Sequence, residues 1–368
     1  MTHVWGAWEK IPTLDNCRAA VRAEAQTGRC KRNGFALDLI LREEYWARYV
    51  LERVGSGLKL GSFTEFDTWE HGKLRHVRCY EPEDAMCVRA VVRVLEPLVY
   101  RRMSPHSYCP VHGRGGLALA MELCRRSRKA ENICRVWNKA HPNARHKWQA
   151  RVNEFDLQNY YASLRYEVMH DTWWRHFGEP EIRNLGEVFL SGRDGLPIGA
   201  GYSSMIANMT LAPLDWMIER HKGVLGYGRN MDNGTYLTKS KSVDHDVRHI
   251  VEDWCSERGL VTHEWSHYPV GHHAIERGGW RIEKDRILPG SKVMMHIERL
   301  MAKKWSELDI HEMCALASLY GYVVNSDCEK LKRRWKEGNY SKIFKVISVT
   351  SKEAEHGIIY PPKERKAA

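Results

Sequence analysis

The segment Phe155-Asp156-Leu157-Gln158-Asn159-Tyr160-Tyr161 constrains this chain more than any other. An apolar approach ends on one carboxylate, and two polar residues and two tyrosines follow. That pattern suits a strand end that presents an acid at its tip. A second segment, Gly228-Arg229-Asn230-Met231-Asp232-Asn233-Gly234, also delivers an acidic side chain at a strand end or turn. Carboxylates carried by adjacent strands can hold a divalent cation through oxygen. A pair of ions held this way clamps the attacking and leaving oxygens of a nucleotidyl transfer. Taken singly, either segment also reads as a surface aspartate in a turn.

Between them lies Gly195-Leu196-Pro197-Ile198-Gly199-Ala200-Gly201-Tyr202-Ser203-Ser204-Met205-Ile206-Ala207-Asn208, a glycine-rich turn entering a helix. The helix continues as Met205 to Glu219, with Ile206, Met209, Leu211, Leu214 and Ile218 apolar. Glycines admit a ligand close to the backbone, and a helix start offers free N–H groups. An ordinary loop before an ordinary helix is the plainer alternative.

In order, the three segments resemble motifs A, B and C of reverse transcriptases. Asp156 falls on the motif A aspartate, Leu196-Pro197-Ile198-Gly199 on the Leu-Pro-Gln-Gly of motif B, and Asp232 on the first aspartate of Tyr-x-Asp-Asp. Ile in place of Gln, with the following Gly-x-x-x-Ser, is similar to the reverse transcriptases of diversity-generating retroelements. Phage-defence reverse transcriptases are the related alternative. Further matches run collinearly over roughly positions 45–300.

The resemblance implies an α+β right-hand polymerase fold, with fingers, a palm built on an antiparallel sheet, and a helical thumb. It implies an N-terminal extension over 1–35, fingers over 36–150, a palm over 151–285 (165–200 returning to the fingers) and a thumb with a basic tail over 286–368. The implied activity is RNA-directed DNA synthesis with two Mg²⁺ ions, Mn²⁺ being the alternative. The catalytic set would be Asp156, Asp232 and Asn233, and the metal set Asp156, Leu157 and Asp232. Lys73, Arg75, Tyr161, Ile198 and Gly199 would bind the nucleotide. A bulky Tyr161 would collide with a 2′-hydroxyl and favour dNTPs. Implied partners are an RNA template or non-coding RNA, the DNA product, dNTPs, and a small accessory protein or a second copy of the chain.

Asn230-Met231-Asp232-Asn233 departs from the family pattern. Its second acid has become a neutral amide, and the tyrosine before it is gone. A non-catalytic nucleic-acid-binding scaffold is therefore the rival reading.

Composition agrees with a polyanionic partner without choosing one. The chain carries 57 Lys and Arg against 46 Asp and Glu, a formal charge of +11. Its ten cysteines include no Cys-x-x-Cys pair, which argues against a zinc ribbon and for reduced thiols. No apolar run spans a membrane, and Met1 to Pro12 lacks a signal peptide's apolar core, so a cytoplasmic protein is expected. The fourteen tryptophans are expected mostly in the core.

Along the chain, helical patterns cover Asn16 to Gln26, Ala36 to Val54, Glu83 to Arg101, 165–192, Val243 to Arg258, Ser291 to Glu307 and Ile310 to Val323. In the second of these Leu37, Leu39, Ile40, Leu41, Tyr45, Val50 and Leu51 are the apolar set. Phe63 to Trp69 and His71 to Val77 read as a hairpin around a Gly-Lys turn, with Lys73 and Arg75 near its tip. Arg114 stands among glycines, where a cation can lie against a phosphate backbone or simply in a turn.

From Cys124 to Arg151 cations alternate with Trp137 and Trp148, which suits a nucleic-acid strand or a solvated helix face about equally. His263 and His267 fall on one face of a strand at this spacing. Lys332, Arg333 and Arg334 lie in the densest basic run, Lys330 to Lys336, and suit contacts to duplex phosphates.

Overall fold

The computed structural model describes residues 3–355 except 33, 62, 71–72, 109–110, 112 and 284. The chain opens with four helices, α1 (Leu14–Ala25), α2 (Gly28–Arg32), α3 (Phe35–Leu41) and α4 (Glu43–Gly55). Thr13 caps the first of them by accepting from the Asn16 N–H. The single helix expected over 36–54 breaks at Arg42, whose φ of −116° and ψ of 34° are non-helical. The break turns only Leu39 and Val50 of the expected apolar set fully inward, and leaves Leu37, Ile40, Leu41 and Tyr45 exposed.

Strands β1 (Phe63–Glu70) and β2 (Lys73–Tyr80) then form the expected antiparallel hairpin, in register from Phe63↔Tyr80 to Glu70↔Lys73. Helix α5 (Pro82–Tyr100) starts on a proline, which has no N–H to leave unsatisfied. After it come β3 (Ser107–Tyr108) and the long α6 (Gly116–Ala140).

Next are β4 (Arg151–Leu157), the single turn α7 (Tyr160–Ser163), α8 (Tyr166–His176), α9 (Pro180–Leu190) and α10 (Ser203–Arg220). Strands β5 (Val224–Asn230) and β6 (Asn233–Thr238) make a second hairpin, followed by α11 (Lys241–Ser256) and β7 (Thr262–Pro269). A small antiparallel sheet follows, β8 (Ile275–Arg277), β9 (Trp280–Glu283) and β10 (Arg286–Pro289). The described chain closes with α12 (Ser291–Leu300), α13 (Ile310–Val324), α14 (Glu329–Glu337) and α15 (Lys342–Glu355). The architecture is mixed α+β.

The organising element is a five-stranded sheet in the order β3-β5-β6-β4-β7, antiparallel except for the β3–β5 pair. Alternation along its strands divides two cores. Phe155 and Tyr236 point into a core shared with α10 and α11. Val152 and Leu237 point the other way, into a core with α6, β8 and β9. Helices α12 to α15 enclose a third core around Ile297, Leu316, Leu331, Trp335 and Ile343. Of the fourteen tryptophans Trp46, Trp173, Trp254, Trp280 and Trp335 are buried, and Trp8, Trp148, Trp174, Trp265 and Trp305 are half-buried against the cores, so most do contribute to core packing. No described helix is long and apolar enough to cross a membrane.

Hairpin β5–β6 sits tightly on β4 because Gly234 is paired with Phe155. A Cβ at Gly234 would stand 2.2 Å from the Phe155 ring. Gly234→Ala must displace that ring or the strand. It is expected to cost about 1–3 kcal/mol, seen as a lower urea midpoint with unchanged slope.

Candidate active site

Strand β4 delivers Asp156. Its neighbours Phe155 and Leu157 are anchored in the core, which fixes the strand and turns Asp156 to the opposite, open face. The hairpin delivers Asp232. The β4–β6 ladder ends at Phe155↔Gly234, so the register carried one step further sets Asn233 opposite Asp156. Met231 adopts a φ of +57°, the left-handed geometry that lets the hairpin reverse tightly. Asn233 Nδ2 donates to Asp232 Oδ1 at 3.0 Å and orients that carboxylate.

A buried ionic network beneath the hairpin holds its tip. Arg229 is 1% exposed and Asp215, on α10, is 0% exposed. The Arg229 Nε and Nη2 donate to the two Asp215 oxygens at 2.6 and 2.7 Å, a fork-to-fork pair. Nη1 donates to Asn208 Oδ1 at 2.9 Å and to the Met231 carbonyl at 2.6 Å, at the turn itself. Tyr227 and Ser107 hydroxyls also donate to Asp215, both at 2.6 Å. Burial alone would push the Arg229 guanidinium down. The charge and hydrogen bonds of Asp215 outweigh it and hold the group above its ordinary value.

Asp156 and Asp232 line one cleft of about 690 Å³. Its walls are Leu74, Arg75, His76 and Arg78 of β2, residues Asn159 to Ala162 after β4, and the loop Asp194 to Ile198. That loop is sewn to both neighbours. The Arg78 N–H donates to the Ile198 carbonyl at 2.8 Å, and the Leu196 N–H to the Tyr161 carbonyl at 2.8 Å. Gly199 makes this possible: its φ is +103°, and a Cβ there would lie 2.7 Å from the Arg78 carbonyl oxygen. Gly199 therefore acts behind the cleft wall.

The cleft gathers Asp156, Leu157, Asp232, Arg75, Tyr161 and Ile198 from the sequence-predicted set. Leu157 borders it with its side chain turned into the core. The Lys73 backbone pairs with Glu70 beside the hairpin turn, but its side chain lies outside the described residues. Arg114 is elsewhere, donating to the Ser104 carbonyl at 3.1 Å. Lys332, Arg333 and Arg334 stand on α14, where they face Glu329, Glu337 and Glu298 at 3.0, 3.9 and 3.7 Å. The start of α10 does not border the cleft either: Tyr202 and Ser203 are buried, and the Ser203 hydroxyl donates to the Pro197 carbonyl.

Two features had no sequence signal. One is the Arg229–Asp215 network. The other is an extra residue in β7, where Glu154↔Ser266 gives way to Asp156↔His263. This bulge sets His263 on the face of Asp156, its Nε2 3.9 Å from Asp156 Oδ2. His267 pairs with Asn153 and so lies on the other face, contrary to the expectation that the two histidines share one.

Among the described residues, no three His, Cys, Asp or Glu side chains converge as a metal cage. Asp156 and Asp232, which line the cleft with Asp194, are of the oxygen-donor type that Mg²⁺ takes, an ion commonly bound by one or two carboxylates with substrate phosphates and water completing the shell.

No protein-family model matches the chain, and no curated protein matches it. Among solved structures, a telomerase from Candida albicans in complex with a TWJ fragment of telomeric RNA is similar, with 11% identity and a TM-score of 0.48. The likeness covers 79% of this chain and 57% of that one. A likeness of that extent assigns no activity.

Asp215→Asn leaves Arg229 buried with its charge no longer balanced. It is expected to cost about 3–5 kcal/mol in urea unfolding. Adding Arg229→Met should recover part of that loss, and simple additivity in the double variant would contradict the pairing.

Proposed function

We propose that this chain is an RNA-directed DNA polymerase. The observation that carries the reading is that Asp156 at the end of β4 and Asp232 in the β5–β6 turn, far apart in sequence, line one cleft with Arg75, Tyr161 and Ile198. In this reading the fold is a right hand: fingers over 36–150, palm over 151–285 with 165–200 returning to the fingers, thumb over 286–368, and an extension over 1–35. The template is RNA, the substrates are dNTPs and the product is DNA.

Asp156 and Asp232 would hold Mg²⁺, with Leu157 beside them. The ions would supply charge stabilisation at the transferring phosphoryl and acidify the attacking hydroxyl. The protein's own part is orientation. Arg75, with Lys73 at the hairpin turn, neutralises the triphosphate; a guanidinium fork and an ammonium both suit phosphate oxygens. Tyr161 packs beneath the sugar and excludes a 2′-hydroxyl. Ile198 offers the base an apolar wall and no amide, which relaxes base selection. Asn233 keeps Asp232 turned toward the cleft through its amide. The biological setting is a diversity-generating retroelement or a phage-defence system.

The second reading is a nucleic-acid-binding scaffold. The specific observation that favours it is Asn233, a neutral amide in the place of a second hairpin carboxylate.

Primer extension on an RNA template with Mg²⁺ and dNTPs separates the two. Wild type should incorporate, and chelation of Mg²⁺ should abolish incorporation. Asp156→Asn should lower the rate by about 10²–10³-fold, as losses of transition-state charge stabilisation do, with RNA binding retained. Equal rates for wild type and Asp156→Asn would defeat the polymerase reading, and tight RNA binding without incorporation would support the scaffold. Asn233→Ala, which removes the amide donor to Asp232, should lower the rate in the same assay.

A further inference from the structure

Helix α6 and the loop that follows carry a concentration of charge that the cleft does not use. Between positions 125 and 147 there are eight Arg and Lys against one Glu, a net of +7 within a chain of +11. Arg125, Arg128, Lys129, Arg135, Lys139, Arg145 and Lys147 are exposed. Arg128, Arg135 and Lys139 fall on one stripe of the helix, at spacings of about two turns and one turn. Among the described residues, Arg128, Lys129, Arg135 and Lys139 form no ion pair. In this they differ from Lys332, Arg333 and Arg334 on α14, which face glutamates.

The fold holds this cationic surface rigid. Trp137 stacks on Trp148 with ring centroids 4.3 Å apart and planes 3° from parallel. His141 covers the other face of Trp137 at 4.3 Å, and the Lys239 ammonium caps Trp148 at 4.5 Å. Asn138 clamps Trp148 at both ends of its peptide unit: Nδ2 donates to the Trp148 carbonyl and Oδ1 accepts from its N–H, each at 2.8 Å. The stack therefore pins the loop to the end of α6 and to the strand end at Lys239. Beside it lies a hollow of about 660 Å³ whose lining includes Arg128, Asn132, Arg135, Asn138, Trp148 and Gln149.

This surface is remote from the cleft. Leu119 packs on Gly228 and Arg126 on Gly226, so α6 runs antiparallel to β5 and away from the hairpin tip. Arg135 lies roughly 30 Å from Asp232 by helix and strand rise.

We infer that the α6 stripe and the pinned 141–148 loop form a second docking surface, for the phosphodiester backbone of duplex RNA. Charge complementarity selects a polyanion. The stacking selects against an unpaired strand, because both faces of Trp137 and of Trp148 are already covered and cannot take bases. It also leaves no aromatic anchor for a protein partner, and the large apolar side chains that α6 exposes, Met121 and Val136, lie fifteen positions apart and form no patch. Duplex RNA is recognised by shape and backbone contact, which a rigid row of cations supplies.

The test uses the full chain, a labelled RNA hairpin with a long stem, and salt titration, so its outcome does not depend on catalysis. The triple variant R128E/R135E/K139E should bind the hairpin at least tenfold more weakly, and its slope of log affinity against log salt should fall by about 2–3. R128K/R135K should bind as wild type does. Trp148→Ala, which changes no charge but frees the loop, should also weaken binding. Primer extension on a short duplex should be the same for the triple variant as for wild type. Unchanged affinity and slope in the triple variant would overturn the inference. So would single-stranded RNA or poly-glutamate competing as well as the hairpin at equal charge concentration.

Discussion

The position of Asp232 depends on a guanidinium that never meets solvent. Arg229 occupies a strand whose neighbours are packed on both faces, and it joins three separate parts of the chain: β3 through Ser107, α10 through Asp215 and Asn208, and the hairpin turn through the Met231 carbonyl. A buried ion pair contributes little net stability once desolvation is counted. What it contributes here is geometry. The turn carbonyl is fixed to a helix rather than left to the strand ends, so the carboxylate one residue later has a defined place relative to Asp156.

The cleft wall is built on the same plan with uncharged parts. The loop before α10 has no regular structure, yet its backbone is tied to β2 at Ile198 and to the β4–α7 turn at Leu196. Gly199 allows the approach to β2, as Gly234 allows the approach of the hairpin to β4. Two glycines thus set two distances across one cleft, each where a methyl group would meet a backbone oxygen or an aromatic ring. A side chain exposed in such a cleft, such as Arg75 or Tyr161, inherits its position from these contacts.

Much of this was legible in the sequence. Asp156, Asp232, Arg75, Tyr161 and Ile198 sit in local patterns whose residue types announce a strand end, a hairpin or a glycine turn, and local patterns survive folding. The paired hairpins and the helices were readable for the same reason. The misses required knowledge of partners. Nothing local marks Arg229 and Asp215 as mates, because a buried pair looks in sequence like two surface charges. The β7 bulge moved His267 to the opposite face by one inserted residue, and a strict period of two cannot foresee it. A break at Arg42 turned most of an apolar stripe outward. On α14, Lys332, Arg333 and Arg334 of the densest basic run meet glutamates from their own helix and from α12, whereas Arg128, Arg135 and Lys139 of the sparser stripe on α6 meet none among the described residues.

The arrangement at the hairpin tip bears on how far the cleft is complete by itself. Asp156 and Asp232 are the carboxylates that line it beside Asp194, and Asn233 spends a donor on orienting one of them. Asn233 adds no further negative charge beside Asp232, so repulsion at the hairpin tip is less than a second carboxylate there would bring. On the proposed reading, metal binding and substrate binding would be coupled, because each would supply ligands or charge that the other lacks. On the same reading Arg75, on the cleft wall that β2 provides, would meet the substrate's phosphates.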